Sequence, residues 1–558
     1  MQIVDSLKQA ISRSLGEAGV KVAMQEISLV RPKELSRGDY ATGVALQYAK
    51  QASVSPVKLA EQIAAGIGKI NGVKRVEVAS PGFINFHLES SVIWGVVGQA
   101  IKEAESWGEN DSQKGKRVMV EYTDPNPFKE FHIGHLMSNA IGESIARLFE
   151  YTGASVARAN YQGDVGPHVA KAIWGIKKSG SDPENAKALG KAYSEGASAY
   201  ENDEGSKKEI DALNEKIYNR SDTEINAIYD AGREASLKHF EYIYKLLGTQ
   251  FDFYFFESET ATKGVALVRA HKNAFPESDG ATVFHGEKHG LHTRVFITSK
   301  GLPTYEAKDL GLLEMKAEKW PFDVSITVTA NEQNEYFQVV QAAIGEVLPE
   351  LAPKVRHISH GMMRLATGKM SSRTGDVITG ESLIEELKER ATARAKESRS
   401  DDAVQLAEQI AVSAVKYQIL RQASGRDIIF DRERALSLEG DSGPYLQYAH
   451  ARAHAVVERA NSQGVTLGIQ KGDTLPNDVS RLVTRFPEVV LYAAKELEPH
   501  LLVNFMIELA SAFNSWYAQV HILDGTSDAP HKVAIVDAVR ATLKAGLWLL
   551  GISAPEKM

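Results

Sequence analysis

Apolar positions recur along this chain in two periods, and the change from one to the other marks its elements. Val118-Met119-Val120 is a short apolar run of β preference; Pro125 and Pro127 stop it, and from His135 the residues Leu136, Ala140, Ile141, Ile145 and Leu148 follow at helical spacing. The pattern predicts strand, loop and helix, with the loop at the mouth of an α/β sheet. Upstream, Leu7, Ile11 and Leu15 predict a helix, as do 45–49 and 57–67, and 76–88 reads as two strands around Pro81-Gly82. The polar stretch 108–115 reads as a linker. Further on, 154–161 and 324–329 are strand-like, 336–348 is helical, and 170–248 is polar, helical and rich in Lys, Glu and Asp. Beyond about 380 the period is nearly all helical, over 384–390, 406–420, 444–457, 482–491, 501–517 and 533–550. Three parts are expected: α+β over 1–110, an α/β Rossmann-like part over 111–380 with a helical insertion at about 170–248, and an all-α bundle over 381–558.

Composition narrows the class. With 558 residues, 43% hydrophobic and 24% charged, the chain is ordinary for a globular protein and too long for one core. It has no cysteine, which excludes disulfides, thiolate zinc sites and a cysteine nucleophile. Met1 to Lys8 lacks the shape of a signal peptide and no apolar run reaches membrane-spanning length, so a cytoplasmic location is expected. A net charge of −8 and a sequence pI near 6.1 argue against a generic nucleic-acid binder but leave room for a local basic face.

The chemistry gathers at His132-Ile-Gly-His135. A helix N-terminus offers free N–H groups and a positive dipole end, Gly134 admits a ligand close to the backbone, and two imidazoles can donate to phosphate oxygens. This is the composition of a nucleoside triphosphate site. No general base or nucleophile stands beside it, so the implied reaction is attack by a bound carboxylate on the α-phosphate, helped by positioning and cationic donors. Gly163-Asp164-Val165-Gly166 is a turn at the same mouth, where Asp164 reads as supporting or structural. Tyr305 and Asp309, four residues apart after Pro303, share a helix face and make a pocket wall, although the residues alone favour a solvated Asp309 paired with Lys308 or Lys316. Lys369 lies on a loop between Gly368 and Gly375 that can close over a triphosphate.

Glu121-Tyr-Thr-Asp-Pro-Asn-Pro-Phe-Lys-Glu-Phe-His-Ile-Gly-His135, followed downstream by Gly368-Lys-Met-Ser-Ser-Arg-Thr-Gly375, resembles the two signatures of the class I aminoacyl-tRNA synthetases, and in detail the arginyl-tRNA synthetases. Gly38-Asp-Tyr-Ala-Thr42, Pro81-Gly-Phe-Ile-Asn-Phe86 and Gly443-Pro-Tyr-Leu-Gln-Tyr448 are similar to further motifs of that family, so the likeness runs the length of the chain. It implies a ligase that activates L-arginine with ATP, with Mg²⁺ carried by the nucleotide, and transfers it to tRNA(Arg). His132, His135, Lys129 and Lys369 would act on the phosphates, with Gly134, Met363 and Ser371 also touching ATP. Glu121, Asn126, Tyr305, Asp309 and Gln333 correspond to residues that hold arginine. Phe83 and Asn85 would meet the tRNA D-loop, and Tyr445, Tyr448 and Tyr517 the anticodon, whereas Phe86 and Phe513 suit a core. Ser372 and Arg373 depart from the usual second signature, and Lys129 could supply the missing charge. The family resemblance also implies a monomer that needs bound tRNA before activating the amino acid. A small-molecule nucleotidyltransferase and an RNA-binding relative without turnover remain as alternatives. The first would not need the helical last third.

Overall fold

The computed structural model describes residues 2–32, 34–366, 379–398, 400–469 and 474–558. These fall into two compact units. The first comprises Met1–Trp107, Arg452–Pro487 and Glu508–Thr542. Its sheet is antiparallel in the order β1-β3-β2, where β1 is Tyr40–Thr42, β2 Val73–Ala79 and β3 Phe83–Leu88. Ile84, Phe86 and Leu88 of β3 pack on Leu7, Ile11 and Leu15 of the opening helix and Leu59 and Ile63 of the Pro56–Ile67 helix. That second helix starts where the sequence places it, with Ser55 accepting from the Lys58 N–H and Pro56 at its first position. Asp39, buried, accepts from the Leu88 N–H at 2.7 Å and pairs with Arg481, which ties the sheet to a helix of Asp478–Val483.

The second unit comprises Gly108–Ala451, Glu488–Ile507 and Leu543–Met558. Its strands are β4 (Arg117–Glu121), β5 (Ser155–Gln162), β6 (Phe253–Phe256), β7 (Glu277–Ser278), β8 (Ala281–Phe284), β9 (Arg294–Ile297), β10 (Val324–Ala330), β11 (Val355–His360), β12 (Met363–Leu365) and β13 (Ile428–Phe430). Five of them form a parallel sheet in the order β11-β10-β4-β5-β6. Val118, Met119 and Val120 of β4 are fully buried, which explains a continuous apolar run: a central parallel strand is covered on both faces. The chain leaves β4 toward β5 on one side and later fills β10 and β11 on the other. The topology therefore switches beside β4, and a crevice opens there at the carboxyl ends of the strands.

The insertion is four helices, Pro167–Ser179, Ala186–Asn202, Glu204–Asn219 and Thr223–Leu247, between β5 and β6. Asn185, Asp203 and Asp222 cap three of them, and Val169, Ile173, Ile210 and Ile225 pack with Phe128 into a core of their own. Three details differ from the sequence-based expectation. The stretch 108–115 is no free linker: Asn110 N–H donates to Tyr151 O at 3.1 Å and Gln113 N–H to Thr152 O at 2.8 Å. The helix expected over 482–491 is two, Asp478–Val483 and Phe486–Glu496, interrupted just before Pro487. The antiparallel sheet β7-β8-β9 had no signal in the pattern, and neither did β13, which pairs with β12.

Two contacts fix the parts that carry the crevice. The Glu257–Ala270 and Tyr305–Lys319 helices touch through Gly264 and Gly311, where a Cβ on Gly264 would lie 1.9 Å from Ala307 O. Gly264→Ala must push these helices apart, and we expect it to cost about 1–3 kcal/mol in urea unfolding and to weaken binding in the crevice. On the far side of the Ile133–Tyr151 helix, Ser144 Oγ donates to Leu549 O at 2.9 Å and Arg147 to Trp548 O at 2.8 Å. Lys416 donates to Leu247 O at 2.6 Å and to Gly551 O at 2.8 Å. Burial lowers the Lys416 ammonium to about 7, with Arg147 adding to the effect and Glu143 opposing it.

Candidate active site

The crevice is a cleft of about 560 Å³ whose wall includes Glu121 at the end of β4, Gly163 just past β5, Glu257 just past β6, Ala330 at the end of β10 and His360 at the end of β11. His132, Gly134 and His135 enter it from the start of the Ile133–Tyr151 helix, and Asn126, Tyr305, Asp309 and Gln333 complete the wall. Eight residues singled out from the sequence thus share one cavity. The loop from β4 is bent to do this: Thr123, Asp124 and Phe128 have φ of 82°, 43° and 67°, a left-handed conformation that non-glycine residues adopt at a cost.

The two histidines stack, with ring centroids 3.5 Å apart and 21° between planes. His135 Nδ1 accepts from the His132 backbone N–H at 3.2 Å, so in the neutral ring the proton sits on Nε2 and that nitrogen is a donor. Surrounding protein lowers His132 to about 4, with Lys129 and His360 repelling the charged form further. His135 is shifted well below its ordinary value, again by burial first and then by His132. Both are neutral at pH 7, so they offer polarised N–H groups and no positive charge. Gly134 also makes room for the stack, since a Cβ there would lie 3.0 Å from the His132 ring.

The opposite end is acidic. Glu121 pairs with Lys316 and Glu257 with Lys308 at 2.6 Å, all four side chains buried. Asp124 accepts from the Tyr161 N–H at 2.7 Å and Asp309 from the Tyr336 hydroxyl at 2.6 Å. Asp309 therefore pairs with neither Lys308 nor Lys316, which serve the two glutamates. Burial pushes Asp309 up to about 7, Tyr336 pulling it down and Glu121 adding to the rise. Asp124 is raised well above the carboxylate range by burial and by Glu121. This cluster sets four carboxylates against two lysines, and Arg294 in the same wall is taken by Glu306 at 3.3 Å, so the cluster lacks up to two positive charges. A planar cation with several donors satisfies that deficit best.

Residues 97–432 match the family described as tRNA synthetases class I (R), catalytic domain, 5–88 the arginyl tRNA synthetase N terminal domain, and 446–558 the DALR anticodon binding domain. The arginine–tRNA ligase of Streptococcus pneumoniae serotype 19F (strain G54) is 32% identical over 569 residues, spanning 100% of this chain and 98% of that protein. The chain belongs to the arginyl-tRNA synthetases. Among solved structures, Thermus thermophilus arginyl-tRNA synthetase superposes with a TM-score of 0.80 at 25% identity over 99% of each chain. That of Plasmodium falciparum gives 0.79 at 21% identity, covering 100% of this chain and 99% of that one, a likeness of fold.

Among the described residues, the others expected at this synthetase's site are not part of the cleft wall. Lys129 is outside the cleft wall, its Nζ 4.9 Å from the centre of the Tyr193 ring. Met363 is buried and paired with Ile428 of β13, its neighbour Met362 is exposed, and neither is part of the cleft wall. Lys369, Ser371 and Arg373 lie outside the described residues. Asp164 is structural: it accepts from the Ser258 N–H and hydroxyl at 2.9 and 2.8 Å and pairs with Arg233 at 3.0 Å. Phe83 is 39% exposed whereas Asn85 is 6% exposed, so of these two only Phe83 offers surface. Phe86 and Phe513 are core. Tyr445 and Tyr448 are half-buried, and Tyr517 lies exposed under Arg452, 5.1 Å from guanidinium to ring centre. The sequence reading missed Asp124, Tyr161, Glu257, Phe337 and His360, all in the cleft wall. A carboxylate directly after the strand run Phe253–Phe256 was the one available sign, and it marks Glu257.

Proposed function

We propose that this cleft is where an arginine–tRNA ligase joins L-arginine to ATP and then to tRNA(Arg). The arginine carboxylate attacks the α-phosphate, the bond to the β-phosphate breaks, and pyrophosphate leaves with the electron pair. A terminal ribose hydroxyl of the tRNA then attacks the arginyl carbonyl, and AMP departs. The observation that carries this reading is the pairing, within one cavity, of a cation-deficient carboxylate end with two stacked neutral imidazoles at a helix N-terminus.

Glu121 and Asp309 hold the guanidinium, Tyr305 covers its aliphatic stem, and Asn126 and Gln333 bind its backbone groups. His132 and His135 donate to phosphate oxygens beside the Gly134 backbone, and Lys129 and Lys369 add charge. Mg²⁺ belongs to the incoming nucleotide, whose phosphates are its natural ligands. Phe83 supports contact with the tRNA D-loop, and Tyr445, Tyr448 and Tyr517 stack anticodon bases. In this reading the chain works as three parts, 1–110, 111–380 and 381–558, acts in the cytoplasm as a monomer, and activates arginine only with tRNA bound.

ATP–pyrophosphate exchange with each of the twenty amino acids, with and without tRNA, tests it. Exchange with arginine alone, and only when tRNA is added, supports the reaction, its specificity and the coupling. No exchange with any amino acid beside normal tRNA binding sinks the catalytic reading. A second expectation concerns protons: arginine favours ionised Asp309, whose carboxyl sits at about 7 in the free cleft, so binding releases a proton. Arginine affinity should fall about tenfold per pH unit below 7 and level off above it, and calorimetry in two buffers of different ionisation enthalpy reads the released proton directly.

A further inference from the structure

His360 is buried, 3% exposed, yet it borders the cleft at the last position of β11, opposite Ala330. Its Nδ1 lies 2.8 Å from the Gly361 carbonyl. A carbonyl oxygen only accepts, so Nδ1 carries the proton. The carbonyl is itself fixed, because Gly361 lies against the Arg426 backbone so closely that a Cβ would come within 2.3 Å of it. Burial holds His360 below its ordinary value, the bond to Gly361 partly offsetting the effect, so the ring is neutral. Its Nε2 is then a lone-pair acceptor, and among the described residues nothing donates to it. A hydrogen-bond acceptor that borders a binding cleft without a protein donor can receive one from the ligand.

The neighbourhood says which ligand. His360 is close enough to His132 and His135 to disfavour their charged forms, so it stands on the phosphate side of the cleft. Phe337 lines the same wall, its ring stacked on His357, three residues before His360 on β11, at 4.0 Å with 13° between planes. His357 is in turn held by Thr329 Oγ1 at 2.7 Å. A rigid aromatic face beside an acceptor suits a purine nucleoside.

We infer that His360 Nε2 accepts a hydrogen bond from the nucleoside of ATP, from either the exocyclic amine or a ribose hydroxyl, with Phe337 as the platform, and so selects the nucleotide. This rests on the reading of the cleft as an ATP site. Inosine triphosphate replaces the amine by an acceptor, and 2′-deoxy-ATP and 3′-deoxy-ATP each lack one hydroxyl. Binding of ATP and these three analogues to the full chain, its H360F variant and its H360Q variant is measured by calorimetry.

The wild type should bind one analogue about 10- to 100-fold more weakly than ATP, and that analogue identifies the donor. H360F should bind ATP as weakly as the wild type binds that analogue, with no added loss for the analogue itself. H360Q, which keeps an acceptor, should regain the preference. If H360F binds ATP as the wild type does, or loses the same factor for ATP and all three analogues, the acceptor role is overturned. Absence of ATP binding by the wild type would instead remove the ATP reading on which the inference stands.

Discussion

Asp309→Asn should lower kcat/KM for arginine about 10²- to 10⁴-fold while leaving the affinity for ATP unchanged. The carboxylate is buried at the end of the cleft and held by the Tyr336 hydroxyl, which an asparagine oxygen can replace as acceptor. What disappears is the negative charge, and losing one member of a buried, hydrogen-bonded charge pair costs about 3–5 kcal/mol. The fold should not suffer, because the group is half protonated near pH 7 in the empty cleft and the substitution removes the need to bury a charge there. Steady-state aminoacylation with arginine varied, beside urea unfolding, separates the two effects. The pH dependence of arginine binding near 7 should vanish in the same variant. A loss of kcat/KM smaller than tenfold would mean that the guanidinium does not meet this carboxylate.

The second large effect is on stability. Glu143, in the middle of the helix that begins with the histidines, accepts from Tyr122 at 2.5 Å, from Arg147 at 2.7 Å and from Arg158 at 3.1 Å. Burial alone would raise its carboxyl, but the two guanidiniums and the phenol outweigh it and hold the group down to about 2. A folded-state value below the unfolded one of about 4.3 contributes stability that is present above pH 4.3 and drains away as pH falls through 2. Glu143→Ala should cost about 3–5 kcal/mol at pH 7, since it leaves Arg147 and Arg158 largely buried without this partner. It should also flatten the acid limb of stability between pH 4.3 and 2. Urea unfolding at a series of pH values reads both. An unchanged acid limb would place the acid-sensitive group elsewhere.

Part of this molecule is legible in its residues alone. β4 shows itself because a parallel strand buried on both faces must be apolar at successive positions, and the helix after it because its apolar residues return every three or four places. The histidines and Gly134 are legible because a helix N-terminus that receives phosphate needs small and donating residues in a short stretch. Glu257, Phe337 and His360 are not, because each is an ordinary residue in its own segment and only the parallel sheet brings those segments to one edge. The charge state of the histidines is equally hidden, since neutrality comes from burial and from Lys129, neither of which spacing encodes. The β7-β8-β9 sheet escapes because strands of two to four residues carry too few alternations to register. Helical periodicity in the last third identifies amphipathic helices without saying what each would cover. Trp94, for example, meets His531 edge-on at 4.5 Å and donates to Thr474 O at 2.9 Å, partners roughly four hundred residues away.

Ser144 and the Leu549 carbonyl it meets are 405 residues apart. At about 5–20 residues per second, a ribosome that has completed the histidine-bearing helix needs roughly 20–80 s more to deliver the turn that seals its outer side. Through that interval Ser144 and Arg147 have no carbonyl from the last turn to receive their hydrogen bonds, and Lys416, once made, waits for its own. A chain ending at Ala545 would hold every residue of the cleft wall and still lack Trp548, Leu549 and Gly551. The helix that carries the histidines is thus made early and covered late, its outer side gaining these partners only once residues 548 to 551 have been added.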